Sequence, residues 1–204
     1  LSFAIHDGER VGIIGLNGAG KSTLLRTIGG VYPIQGGTRR VEGSICSLFE
    51  INVGMDLNVT GWQNIHLRAY FQGETPTSLK GKLKDIADFT ELGSFLDVPL
   101  RCYSTGMITR LAFAIATCGH PEILLIDEVF GTGDVVFQKK AEARMRDFMH
   151  RARIVVMVGH HLEFLQEFCT KVLWLHHGSL RRFGPTREII RAYLNETEQL
   201  QQAA

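Results

Sequence analysis

The stretch Gly15-Leu16-Asn17-Gly18-Ala19-Gly20-Lys21-Ser22-Thr23 constrains this chain more than any other. It spells G-x-x-x-x-G-K-[ST], with Gly15, Gly20, Lys21 and Ser22 at the fixed positions. Before it, Arg10-Val11-Gly12-Ile13-Ile14 has the short, β-branched character of a buried strand, and from Leu24 to Gly29 a helical pattern follows. This strand-loop-helix context is the one in which such a loop binds phosphate. Glycines let successive backbone N–H groups curl into an anion-binding nest, and the helix N-terminus adds partial positive charge. Lys21 reaches the outer phosphates and Ser22 is placed to hold Mg2+. A helix end contributes only about 0.3–1 kcal/mol, whereas micromolar nucleotide affinity needs about 8 kcal/mol. The nest, Lys21 and the metal must therefore carry most of the phosphate affinity.

With 204 residues and 45% hydrophobic content, the chain is sized for one α/β domain carrying at most a subdomain. Its net charge of +1, from 22 basic and 21 acidic residues, gives no general attraction to nucleic acid or anionic lipid. Cys46, Cys102, Cys118 and Cys169 form no C-x-x-C pair, so neither a disulfide framework nor a zinc site is expected, and a reducing compartment is. No apolar run approaches the roughly 18 residues of a membrane-spanning helix. Leu1-Ser2-Phe3 opens the chain without methionine and just ahead of a strand-like run, so an earlier native start is expected.

Taken in order, Leu1 to Ile5 alternates as a half-buried strand, and Asp7-Gly8 marks a turn into the next strand. Tyr32-Pro33 and Gly36-Gly37 break the chain after the first helix; two short strands are expected near Thr38 to Val41 and Ser44 to Phe49. Thr60-Gly61-Trp62-Gln63 fits a capping box opening a helix with Trp62, Ile65 and Ala69 on one face. A helix over Ser78 to Phe89 buries Leu79, Leu83, Ile86 and Phe89. Ser104 is an N-cap candidate for the apolar helix that follows, and Gly106 lets a ligand approach its backbone. A helical subdomain over about 60–118 is thus inserted in the α/β pattern. That second helix N-terminus is more than one complete phosphate loop needs, so it is suited to a nucleotide held by another copy.

Ile123-Leu124-Leu125-Ile126 reads as a buried parallel strand ending in Asp127-Glu128. Ligands of such sheets bind at strand carboxyl ends, where Asp127 can hold Mg2+ and Glu128 can polarise an attacking water. Arg153 to Val158 is another strand, ending in Gly159-His160-His161; His160, in preference to His161, is placed to meet the γ-phosphate or the water. His176-His177-Gly178 looks like a hairpin turn between Val172 to Leu175 and Leu180 to Phe183, and the histidine pairs lack zinc-ligand spacing. Thr186 to Leu200 closes the chain as a helix with Ile189, Ile190, Tyr193 and Leu194 facing inward.

With these motifs in this order, the chain resembles the ATP-binding subunit of an ABC (ATP-binding cassette) transporter, above all the subunits that export polysaccharide, O-antigen or teichoic acid. The likeness is carried by Tyr103-Ser104-Thr105-Gly106-Met107 with Arg110-Leu111-Ala112-Phe113-Ala114, by Gly131-Thr132-Gly133-Asp134 with Phe137-Gln138-Lys139-Lys140, and by Leu173-Trp174-Leu175-His176-His177-Gly178. It implies a P-loop NTPase domain of ABC type, with a helical subdomain inserted in the α/β core. ATP and Mg2+ are the implied ligands. Two copies would sandwich two ATP molecules, each held by one copy's Gly15 to Thr23 and the other's Ser104 to Met107. Asp134 would lie in the loop crossing that interface, and Val53 to Gln63 would border the groove for a polytopic membrane permease. The resemblance also implies peripheral attachment at the cytoplasmic face of a bacterial inner membrane, with the glycan contacted mainly by the permease and no nucleic-acid partner.

Departures from the family pattern are specific. Glu50 stands where many members have a glutamine reaching the metal and γ-phosphate, and it is carried over as a metal candidate. Thr105 replaces a glycine, Met107 a glutamine, and His161 an acid or serine. On the family pattern the aromatic residue that stacks on adenine is expected upstream of Leu1, and no C-terminal glycan-binding domain is expected, so that substrate choice would lie mostly with the membrane partner. The competing reading is a non-transport ABC ATPase acting as a mechanical or regulatory module; it would call for a long coiled-coil insertion or tandem cassettes.

Overall fold

The computed structural model describes residues 1–49, 51–127, 135–159 and 161–202. In chain order the elements are β1 (Arg10–Ile14), α1 (Lys21–Ile28), β2 (Ile45–Leu48), α2 (Gly61–Phe71), α3 (Pro76–Lys80), α4 (Leu83–Thr90), α5 (Thr105–Ala116) and β3 (Ile123–Asp127). They continue as α6 (Val135–Arg151), β4 (Ile154–Val158), α7 (Leu162–Phe168), β5 (Lys171–His176), β6 (Ser179–Pro185) and α8 (Thr186–Gln202). The described residues divide into two compact units, one formed by 1–49, 121–127 and 152–202, the other by 51–120 and 135–151.

The first unit is built on a sheet of order β2-β3-β4-β1-β5-β6. All its pairings are parallel except the β5–β6 hairpin. Val11, Ile13, Leu125, Val156, Val158, Leu173 and Leu175 from four of these strands meet Leu24 and Leu25 of α1 in one core. Parallel strands covered by helices read as continuous apolar runs, and β3, β4 and β5 do so. Register carries the strand ends to one level: Asp127 pairs with Val158, and Val158 pairs with Ile13.

Several local expectations are corrected. Residues 1–5 join no described strand; Phe3 and Ile5 instead lay their side chains on the core, Phe3 meeting Phe183 edge-on at 6.1 Å. Burial alternation is therefore present without a backbone ladder. Thr38 to Val41 is not a strand either, because Arg39 reaches back to the Ile28 carbonyl (Nε 2.9 Å, Nη2 2.6 Å) and caps the end of α1. On α8, Ile189 and Ile190 are buried and Tyr193 meets Trp174 at 5.4 Å, but Leu194 faces solvent.

The second unit is helical. Thr60 and Gln63 make both bonds of the capping box that opens α2 (2.9 and 3.2 Å). Asn64 is fully buried there: its amide donates to the carbonyls of Asp56, Val59 and Thr60, and its oxygen accepts from the Asp56 N–H. Leaving such a buried amide unpaired costs about 1–3 kcal/mol, so one side chain fixes the course of residues 56–60. The single helix expected over Ser78 to Phe89 is two, α3 and α4. A second capping box at Thr75 starts α3, and Gly81 terminates it. Phe89 then packs on Phe113 (5.8 Å) and Phe137 (5.4 Å), joining α4, α5 and α6. Arg144 of α6 lies over the Phe89 ring at 4.4 Å and bonds Thr117 and Asp85.

Two measurements test this packing. A Cβ on Gly61 would sit 2.5 Å from the Tyr103 hydroxyl oxygen and 3.0 Å from the Leu96 Cα, so Gly61→Ala is expected to destabilise by about 1–3 kcal/mol in thermal or urea unfolding. Gly106→Ala, with only a Ser104 contact at 3.9 Å, serves as the tolerated control. Burial raises the pKa of Glu74, but hydrogen bonds from Lys82 (2.5 Å) and Ser78 outweigh burial and hold it below its ordinary value. The stability this supplies is present above the unfolded carboxyl's pKa of about 4.3 and is lost as pH falls through the depressed folded value. Unfolding followed from pH 6 down to pH 2 should show that acid loss reduced in Glu74→Gln.

Candidate functional site

The loop between β1 and α1 leaves the central strand of the first unit's sheet. Its glycines adopt backbone conformations that other residues resist, with φ of 150° at Gly15, 78° at Gly18 and 96° at Gly20. Gly15 is also pressed against β5: a Cβ there would lie 2.4 Å from the Leu175 carbonyl oxygen. The Lys21 side chain turns back into the loop, where its ammonium donates to the carbonyls of Gly15 (2.9 Å) and Leu16 (3.2 Å), and the residue is only 8% exposed. Asn17 and Gly18 lie at the exposed rim, Ala19 is buried, and Thr23 faces solvent one turn along α1.

A contact that the motif alone does not reveal holds this loop from outside. His177 and Gly178, with φ of 45° and 74°, form a two-residue turn between the paired His176 and Ser179, as tight hairpins require. The Gly178 N–H donates to the Ala19 carbonyl at 3.0 Å. Because the Ala19–Gly20 peptide is trans, the Gly20 N–H points opposite to that carbonyl, away from the turn. The hairpin thereby fixes the orientation of one peptide of the nest. The sequence marks this segment only as a turn; a bond between residues so far apart in the chain leaves no local signal.

At the end of β3, Asp127 comes to the start of α1, and the Ser22 hydroxyl donates to its carboxylate oxygen at 3.2 Å. Gly15 to Thr23 and Asp127 are thus brought together in the first unit. Ser104 and Gly106 belong to the second. Ser104 is the N-cap of α5, its hydroxyl accepting from the Met107 N–H at 3.2 Å, and Gly106 lies in the first turn. Thr105 leads that helix, its carbonyl accepting from the Thr109 hydroxyl at 3.0 Å. Just before it, Tyr103 donates its hydroxyl to the Phe95 carbonyl, and burial pushes its pKa up to about 12. Glu50, Glu128, Asp134 and His160 lie outside the described residues.

Chemically, the first unit offers a backbone cradle with an ammonium at its centre and a hydroxyl-carboxylate pair at its edge. Among the described residues no helix is long and apolar enough to cross a membrane.

Residues 1–131 match the family described as ABC transporter. The O-antigen export system ATP-binding protein RfbE of Yersinia enterocolitica is 48% identical over 178 residues, covering 87% of this chain and 74% of that protein. The teichoic acids export ATP-binding protein TagH of Enterococcus faecalis is 38% identical over 193 residues, 95% of this chain; the chain spans only 43% of that relative's length. A solved structure described as the ATP binding subunit of an ABC transporter superposes with a TM-score of 0.74 at 25% identity, over 94% of this chain and 84% of its own. With its phosphate loop, strand-end aspartate and capped second-unit helix in the family's order, the chain belongs to the ABC transporter family.

Proposed function

We propose that this chain is the ATP-hydrolysing subunit of a glycan exporter, driving an O-antigen-like or related polysaccharide through a separate membrane permease. The observation that carries the reading is the loop itself: glycine peptides held in a nest, Lys21 inside it, and Ser22 joined to Asp127. Similarity to the O-antigen export relative supports the choice of cargo.

In this reading Lys21 exchanges its two carbonyl bonds for the outer phosphates of ATP, and the N–H groups from Gly18 to Ser22 take the inner ones. The Ser22 hydroxyl and the Asp127 carboxylate, 3.2 Å apart, are hard oxygen donors of the kind Mg2+ takes and would hold it, directly or through water. When bound, Mg2+ would neutralise charge building on the β- and γ-phosphate oxygens. Glu128, next to Asp127 in sequence, orients the water that attacks the γ-phosphorus in line, giving ADP and phosphate; His160 hydrogen-bonds the γ-phosphate. Glu50 is a further metal candidate.

The second phosphate contact comes from a second copy. Ser104, Gly106 and the first-turn amides of α5 meet the γ-phosphate across a dimer, and Asp134 lies at that interface. Closure on ATP and opening after hydrolysis rest on the differing affinity of the closed state for ATP and ADP. The chain attaches peripherally at the cytoplasmic face of an inner membrane, where the permease docks near Val53 to Gln63. Fold and cap are equally compatible with a non-transport module, but similarity to two export-system proteins favours transport.

The expected outcomes are distinct for each part. Lys21→Ala should lose measurable Mg-ATP binding in calorimetry. Glu128→Gln should bind ATP normally yet hydrolyse it a few hundredfold more slowly, about 3–4 kcal/mol of transition-state stabilisation, in a steady-state phosphate-release assay. Near-normal turnover in Glu128→Gln would remove that residue from the chemistry. Gly15→Ala, forced against the Leu175 carbonyl, should weaken Mg-ATP binding at least tenfold.

A further inference from the structure

Backbone bonding within the phosphate loop is uneven. The Ala19 N–H donates to the Leu16 carbonyl at 3.1 Å and the Ala19 carbonyl accepts from the Gly178 N–H at 3.0 Å, so both backbone groups of that residue are committed. Among the described residues, the N–H groups of Gly18, Gly20, Lys21 and Ser22 donate to no protein acceptor. Bare amides at a glycine-rich loop and helix start are the donors an anion takes. Ala19 is therefore the pivot of the row: rotating its peptide with Gly20 would swing a bare donor out of line.

The two supports of the loop differ in what nucleotide does to them. Lys21 holds the Gly15 and Leu16 carbonyls with the same ammonium that the phosphates would claim, so that support is released on binding. The Gly178 bond lies on the opposite side of its peptide from the Gly20 N–H and competes with no phosphate. Its hairpin is well seated: β5 pairs with β1 as far as Ile14, Trp174 meets Tyr193 of α8 at 5.4 Å, and Arg181 of β6 pairs with Glu196 of α8 at 3.2 Å. A Cβ on Gly178 would meet nothing within 4 Å, so glycine serves the left-handed backbone there and not a lack of space.

We propose that Gly178 is a positioning residue of the nucleotide site: by holding the Ala19 carbonyl it keeps the Gly20 N–H aimed at the phosphate chain once Lys21 has left the loop carbonyls, and so sets the affinity for a triphosphate. A donor already aimed costs less to order when the ligand arrives. The proposal rests on the nucleotide reading of the loop and is independent of the export reading.

The test compares three changes at the turn in the full chain. Gly178→Val resists the left-handed backbone, insertion of a glycine between His177 and Gly178 displaces the N–H without a bulky side chain, and Gly178→Asn keeps the N–H and tolerates the conformation. Gly8→Val is the control: its φ is 81°, a Cβ there also meets nothing within 4 Å, and it precedes β1 at the end away from the loop. Calorimetry is run with Mg-ATP and with Mg-tripolyphosphate, which presents the phosphate chain without base or sugar, and melting temperatures are taken alongside. Gly178→Val and the insertion should weaken both ligands by similar factors, about tenfold or more, whereas Gly178→Asn stays within about threefold of the parent chain. Gly8→Val should lose comparable melting temperature yet keep both affinities within about twofold. Affinity kept in both Gly178→Val and the insertion, or lost equally in Gly8→Val or Gly178→Asn, would overturn the role of Gly178 and leave the nucleotide reading standing. A parent chain that binds neither ligand would overturn both.

Discussion

A nest of backbone amides binds phosphate only if its peptides already point the right way, and a short glycine-rich loop has little reason to hold that shape alone. Here the loop is held from two sides. From within, the Lys21 ammonium bonds the Gly15 and Leu16 carbonyls. From outside, the Gly178 N–H takes the Ala19 carbonyl, while the Leu175 carbonyl leaves room only for glycine at position 15. Ordering a residue costs about 1–2 kcal/mol of backbone entropy, so a loop ordered during folding saves that cost when nucleotide arrives. The rest of the first unit serves this end: β1 is paired on both edges, by β4 and β5, and β5 carries the turn that reaches the loop.

The second unit follows a different logic. Its α3 and α4 are short, and a cap and aromatic contacts hold them against the longer α5 and α6. Phe89 gathers three helices, Asn64 pins the approach to α2, and Ser104 closes the start of α5. Ser104 satisfies one first-turn amide, that of Met107, while Thr105 and Gly106 beside it are exposed.

What could be read from sequence was local. Strands β1, β3 and β4 are short apolar runs with clear ends, and the caps at Thr60 and Ser104 rest on residues three apart. The same reasoning joined Ser78 to Phe89 because Leu79, Ile86 and Phe89 keep helical phase, although Gly81 ends one helix between them. It assigns no element to 135–151, where the buried Phe137, Met145, Phe148 and Met149 are diluted among charged residues. At the candidate site, residue types and spacing point to the loop, Ser22 and Asp127, which the structure brings side by side. The Gly178 contact depends on which segments the sheet brings side by side, and no local pattern encodes that.

The central claim is that the phosphate loop is half of a site completed by Ser104 and Gly106 of a second copy. The most direct measurement is the solution mass of the Glu128→Gln chain by light scattering, first with Mg-ATP and then with Mg-ADP. The account predicts a dimer with ATP and a monomer with ADP, and the ATP dimer should dissociate when Ser104→Arg is added. A monomer under both conditions, or a dimer indifferent to nucleotide and to Ser104, would contradict it.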